Sequence, residues 1–214
     1  MVPTSSTDPA AAADLVQADA ELLARHGARL LTLARQSIGW RLQHNDPLEV
    51  DPAHYPPELS VRRASFVTLT KAGQLRGCVG TPPTSAWCSL VQDVASNAAA
   101  AAVDDCRFAP LVAGELDAIE IAVSLLSAAI PLVAASEPEL VAKLRPGIDG
   151  LLLREERRQA LFLPQVWEHL TQPAEFLAQL KAKAGLPRDH WSVSLEFRRF
   201  TAASIAEPAT TVAR

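Results

Sequence analysis

The stretch Leu75-Arg76-Gly77-Cys78-Val79-Gly80 sets a thiol, a guanidinium and two glycines within six positions. Cysteine attacks carbon or sulfur, and binds metals, as its thiolate, and a neighbouring cation favours that form. Arg76, two positions away on one strand, is expected to share a face with Cys78 and supply that charge. Glycine inside a strand allows another backbone or a ligand to come close. Gly77 and Gly80 are therefore candidate binding positions, and Cys78 and Arg76 are the candidate catalytic pair. A second reading stays open: cysteine is often a small buried residue, and Gly-Cys-Val packs well in a strand.

Three further positions are candidates for binding. Glu120 and Ser124 form the polar side of a strand that is otherwise apolar. If that strand lies beside the LRGCVG strand, both would join its face; a merely solvated face is the alternative. Asn97, late in an alanine-rich helix, is four residues from Asp93 and lies on the same helix face. It could equally cap or bridge backbone. Asp105 and Arg107 are expected to tie down the turn before Phe108 and Pro110. Cys88 and Cys106 carry less, one lying early in a helix and the other in a turn. Other chemistry is poorly represented. No phosphate loop and no G-x-S-x-G occurs, and His26, His44, His54, His169 and His190 are scattered without zinc spacing. No metal or cofactor is predicted.

These side chains need elements to position them. Residues 64 to 80 read as a β-hairpin. A three-residue loop, Lys71-Ala72-Gly73 with Gly73 left-handed, would pair Thr70 with Gln74. That register sets Leu69 opposite Leu75, Val67 opposite Gly77, Thr68 opposite Arg76 and Phe66 opposite Cys78. It leaves Leu75, Gly77 and Val79 on the packed side and matches faces across the pair. Ser85 to Ala102 reads as a helix with Leu90, Val91, Val94, Ala95 and Ala98 buried. Asp117 to Ser127 alternates as a half-buried strand. Upstream, helical spacing runs from Asp14, a candidate N-cap, to Leu42, as one long or two shorter helices with Gly27 and Gly39 as weak points. A four-proline loop follows, which runs over the surface or joins two lobes. Downstream come short helices at 138–144, 164–170 and 174–184, the last closed by Gly185. Strands are expected at 150–154 and 160–163, and a strand or strand pair at 193–205. Helices and strands do not alternate as regular βαβ units, so the fold class is α+β.

The chain has 214 residues, enough for one domain with a sizeable core. Its 49% apolar and 21% charged residues are ordinary for a globular protein. Net charge is -4 and the pI about 5.7, so no basic field favours nucleic acid or anionic lipid as partner. The start has no basic segment before an apolar core, and no run is long enough to span a bilayer. Three cysteines at unremarkable spacing suggest a reducing compartment. A cytoplasmic protein without membrane association is expected. Residues 1 to 12 read as a frayed tail, 13 to 206 as the folded domain, and 207 to 214 as a C-terminal tail.

In order along the chain, SFVTLTKAGQLRGCVG, DVASNAAAAAVDDCRFAPL, EIAVSLLS, PGIDGLLL, ALFLPQVWEHL and EFLAQLKAKAGL resemble the AMMECR1 domain family. Its bacterial and archaeal members are called AmmeMemoRadiSam system protein A. The resemblance covers about residues 15 to 206, and LRGC-(I/V)-G is the family's signature. Val79 stands where isoleucine is usual. Cys106 stands where the family tends to have proline, which argues against a shared role for this cysteine. Trp167 and Thr171 depart locally from the family pattern. The resemblance implies an α+β fold: an antiparallel sheet with flanking helices in a larger lobe, a smaller α/β lobe, and the signature near the cleft between them. It also implies association with a Memo-like protein and a radical S-adenosylmethionine (SAM) protein. It implies no particular reaction. Two functions follow: a small-molecule or peptide-binding cleft at LRGCVG within a redox or modification system, or a non-catalytic adaptor in which LRGCVG is structural.

Overall fold

The computed structural model describes residues 9 to 208, with side chains of the first helix described from Gln17 on. The chain divides into two compact units. One holds Gln17–Leu126 together with the residues from Ala203 on; the other holds Ser127–Ala202 together with the residues before Gln17. The readings of residues 1–8 and 209–214 as tails lie outside the described residues.

Helix α1 (Pro9–His44), in the first unit from Gln17 on, runs unbroken through Gly27 and Gly39. Asp14 therefore lies inside the helix and is not its cap. Gly27 packs against Ile205: a Cβ there would meet Ile205 Cδ1 at 2.3 Å. The proline-rich stretch forms two single 3-10 turns, Pro52–His54 and Pro57–Leu59, and returns to the same unit. It is thus a surface connection and not a link between lobes. Strands β1 (Ser65–Lys71) and β2 (Gln74–Gly80) form the expected hairpin. Helix α2 (Leu90–Val103) starts later than expected, because Ser89 and Gln92 form a capping box that fixes its first turn. Strand β3 (Ile119–Leu126) pairs with β1 on the side away from β2. Its inward residues Ile121, Val123 and Leu125 are fully buried. They meet Val67 and Leu69 of β1, Leu30, Leu33 and Ile38 of α1, and Leu90, Val91, Val94 and Ala98 of α2 in one core. Each such side chain contributes about 1.5–3 kcal/mol on burial.

The second unit starts with the short β4 (Ile130–Pro131) and α3 (Glu137–Lys143). Strands β5 (Gly150–Glu155) and β6 (Arg158–Phe162) form a hairpin, followed by a 3-10 turn and α4 (Pro173–Lys183). Gly185, at φ +73°, lies just past α4, as expected. Trp167 stacks on Phe176 at 3.9 Å between ring centroids, inside a core with Leu140, Leu151, Leu153 and Leu180. The last stretch is a strand pair, β7 (Glu196–Phe200) and β8 (Ala202–Ala206), whose members belong to different sheets. Among the described residues the strand orders are β2-β1-β3-β8 and β4-β7-β5-β6. The fold is α+β with antiparallel sheets. No helix among the described residues is long and apolar enough to cross a membrane.

Candidate functional site

The hairpin turn has two residues, not three. Lys71 pairs with Gln74, and Ala72 and Gly73 both take positive φ, 51° and 74°. Such a turn matches the right-handed twist of the strands. Carried on unbroken, it would put apolar Leu69 against Arg76. A bulge removes that conflict: Thr70 pairs with Leu75, Leu69 with Gly77, and Arg76 is the extra residue. The expected register is therefore corrected. Cys78 lies opposite Thr68, not Phe66, and Gly80 lies opposite Phe66. Leu75, expected on the packed side, is 44% exposed.

Arg76 is engaged by other groups. Arg76 donates from Nε and Nη2 to the two oxygens of Glu115, at 3.3 and 3.0 Å, and from Nη1 to the Ala109 carbonyl at 2.9 Å. Lys71 donates to the same carboxylate at 2.7 Å. Arg76, and then Lys71, pull the Glu115 carboxyl down to about 2. The cation beside Cys78 is instead Arg107. Its Nη2 donates to the Cys78 carbonyl at 3.1 Å, and its Nε and Nη2 donate to Asp105 at 2.9 and 2.7 Å. Asp105 in turn accepts the Cys78 backbone N–H at 2.8 Å. The Arg107 guanidinium, ahead of the backbone N–H groups, holds the Asp105 carboxyl far below the usual range. Strand β2 is a sheet edge. Asp105 and Arg107 occupy the outward N–H and C=O of Cys78, as one rung of a further strand would.

The two glycines are contact positions. A Cβ on Gly77 would lie 2.1 Å from the Ala101 carbonyl oxygen of α2. A Cβ on Gly80 would lie 2.2 Å from the Phe66 ring, which covers that glycine. The Cys78 thiol itself accepts from Thr68 Oγ1 at 3.3 Å. Pairing through β1 sets Cys78, Thr68 and Ala122 in one row, with Glu120 and Ser124 two residues to either side on the same strand face. Ser124 exchanges a hydrogen bond with Ser204 at 2.8 Å. Cys78, Glu120 and Ser124 therefore share a sheet face. Arg76 is committed elsewhere, and Asn97 belongs to α2.

A family model described as AMMECR1 matches residues 31–205. The chain belongs to the AMMECR1 family. A protein of Methanothermobacter thermautotrophicus is 37% identical over 164 residues, covering 76% of this chain and 84% of that protein. One of Thermococcus onnurineus is 37% identical over 187 residues, covering 82% and 87%. The crystal structure of protein PH0010 from Pyrococcus horikoshii superimposes with a TM-score of 0.77 at 34% identity, covering 83% of this chain and 89% of that one.

Two clusters in this AMMECR1 chain escaped the sequence reading. Asp93 is 3% exposed and collects donors around one carboxylate. Oδ2 accepts the Ser65 N–H and Oγ, each at 2.7 Å, and Asn97 Nδ2 at 2.9 Å; Oδ1 accepts Thr81 Oγ1 at 2.5 Å. Burial pushes the Asp93 carboxyl up, against the pull of these hydrogen bonds. It ties the hairpin's open end to α2, with Asn97 as one of its donors. Burial, and then Asp93, also push the Cys88 thiol up, away from reactivity. The i,i+4 spacing of Asp93 and Asn97 was the one sequence signal.

In the second unit, Glu155 accepts from His190 Nε2 at 3.0 and 2.9 Å, from Ser194 Oγ at 2.9 Å and from Ser192 Oγ. Ser192 first, then His190, hold its carboxyl down at about 2. A nucleophile–base relay needs serine bonded to imidazole. Here both serines bond the carboxylate, so the cluster pins its loop. Among the described residues no group of three or more His, Cys, Asp or Glu could hold a metal ion.

Proposed function

We propose that this AMMECR1 domain is a non-catalytic interaction domain in which LRGCVG is structural. In this reading it works in the cytoplasm as one component of a redox or modification system with a Memo-like protein and a radical SAM protein. One observation carries it. The Arg76 side chain and the backbone at LRGCVG are bound within the fold: Arg76 by Glu115 and Ala109, and the Cys78 backbone by Asp105 and Arg107. A ligand carboxylate or phosphate would have to displace Glu115 from a bidentate pair, one of the stronger side-chain interactions. The test of the partner reading is complex formation: purified chain mixed with the two suspected partners and analysed by size-exclusion chromatography. Co-elution with either supports the adaptor; separate elution of all three at micromolar concentrations counts against it.

A second reading keeps a small-molecule or peptide site on the sheet face of Cys78, Glu120 and Ser124. It is favoured by the Cys78 thiol, which lies next to Thr68 with Arg107 close to its backbone. There Cys78 is the nucleophile and Arg107, not Arg76, the supporting cation.

A further inference from the structure

Helix α1 carries two glycines in its interior, and only one of them has a neighbour that an added Cβ would crowd. Glycine weakens a helix interior relative to alanine, because it gives up more backbone freedom on folding. Gly27 packs against Ile205, whose Cδ1 would lie 2.3 Å from that Cβ. At Gly39 the Cβ would meet Leu116 Cδ2 at 3.5 Å and nothing nearer outside the helix. That is ordinary van der Waals contact, so alanine would fit and support the helix better. What the missing side chain leaves is space. Gly39 lines a surface groove of about 710 Å³, within the size range of small-molecule sites.

The groove lies within the first unit, between α1 and the side chains of Leu48 and Leu116. Both leucines, with Leu31, make its walls apolar. Trp40, beside Gly39, adds an indole that is 41% exposed. His44, one turn on, packs against this ring with 3.9 Å between centroids. An aromatic wall of this kind pairs with another ring by offset stacking or edge contact. Among the described residues, the charged groups lining the groove are Arg35 and Glu207, and these neutralise each other. Arg35 Nε donates to Glu207 at 2.9 Å, and its other nitrogens donate to the Leu116 and Ile119 carbonyls at 2.6 and 2.9 Å. A charged ligand would have to break this pair to find a counter-ion. Gln36 and Gln43 line the groove as well and are exposed. Their amides can donate to or accept from an uncharged polar group.

We infer that this groove binds a neutral, planar aromatic small molecule, stacked on Trp40 and seated over Gly39, with Gln36 or Gln43 holding its polar edge. The site is independent of LRGCVG. The test is titration of the full chain with phenylnaphthylamine, a neutral aromatic probe whose emission rises in apolar surroundings. Saturable binding at one probe per chain is expected. Trp40→Ala and Gly39→Leu should each weaken it about tenfold or more. Gly39→Ala should raise the thermal midpoint without probe, since helix propensity improves and the space is there. The anionic analogue anilinonaphthalene sulfonate should bind more weakly. Absent or unsaturable binding, or unchanged binding in both variants, overturns the site. Equal binding of the anionic analogue overturns the neutral class. A lowered midpoint for Gly39→Ala would give that glycine a packing role and overturn the case for an open groove. A dimer on size-exclusion chromatography that Gly39→Leu dissociates gives the groove to a second copy of the chain and overturns the small-molecule site. If Gly39→Leu does not fold, Trp40→Ala decides.

Discussion

The Cys78 N–H donates to Asp105 Oδ2 at 2.8 Å, across 27 residues of chain. This bond joins the signature strand to the turn after α2, and Arg107 closes it from the other side by binding both the Cys78 carbonyl and Asp105. The edge of β2 is sealed where the candidate nucleophile sits.

Asp105 should make stability depend on pH in acid. Its folded carboxyl is depressed below the ordinary value of about 3.9. The contribution is therefore present above the unfolded value and is lost as pH falls through the lower, folded one. Asp105→Asn should flatten the acid limb of a urea-midpoint against pH curve. Near neutral pH it should cost about 1–3 kcal/mol, the range for a lost charge-assisted bond. An unchanged acid limb would show that the clamp contributes nothing in solution.

Asp93 should act with the opposite sign. Its folded carboxyl is raised, so the folded state binds the extra proton. Its contribution is most favourable below the unfolded value and falls as pH rises towards the folded one. Asp93→Ala removes this slope and strands the Ser65 N–H, at a cost of roughly 3 kcal/mol. Chemical denaturation at several pH values measures both effects.

Gly77→Ala should be strongly destabilising, since its Cβ would meet backbone at 2.1 Å and not a side chain that can turn away. Overpacking of this kind costs about 1–3 kcal/mol, and more where nothing can yield. Gly114→Ala is the control, because nothing lies within 4 Å of the added carbon; it should be close to neutral. Equal midpoints for the two variants would remove the case that Gly77 is there for contact with α2.

Periodicity located β3 and the body of α2, because each buries one regular face; β5, β6 and α4 also lie near their expected bounds. The hairpin was legible but its register was not. Matching faces made a three-residue loop look best, and only a bulge, which leaves no composition signal, reconciles the tight turn with Leu69 in the core. The placing of Leu75 on the packed side followed from that one residue. Asp105 and Arg107 were read as fastening their turn, which they do. Their hold on Cys78 was invisible, since it needs two distant segments to meet. Asp93 was hidden for the same reason, its partners coming from β1, α2 and the residue after β2.

If LRGCVG holds the fold and does no chemistry, the Cys78 thiol is dispensable. The most direct measurement is product formation by Cys78→Ala in a system reconstituted with the Memo-like and radical SAM proteins, read by mass spectrometry beside the variant's unfolding midpoint. Undiminished product from a folded variant is expected. A folded Cys78→Ala that still joins the complex but yields no product contradicts it.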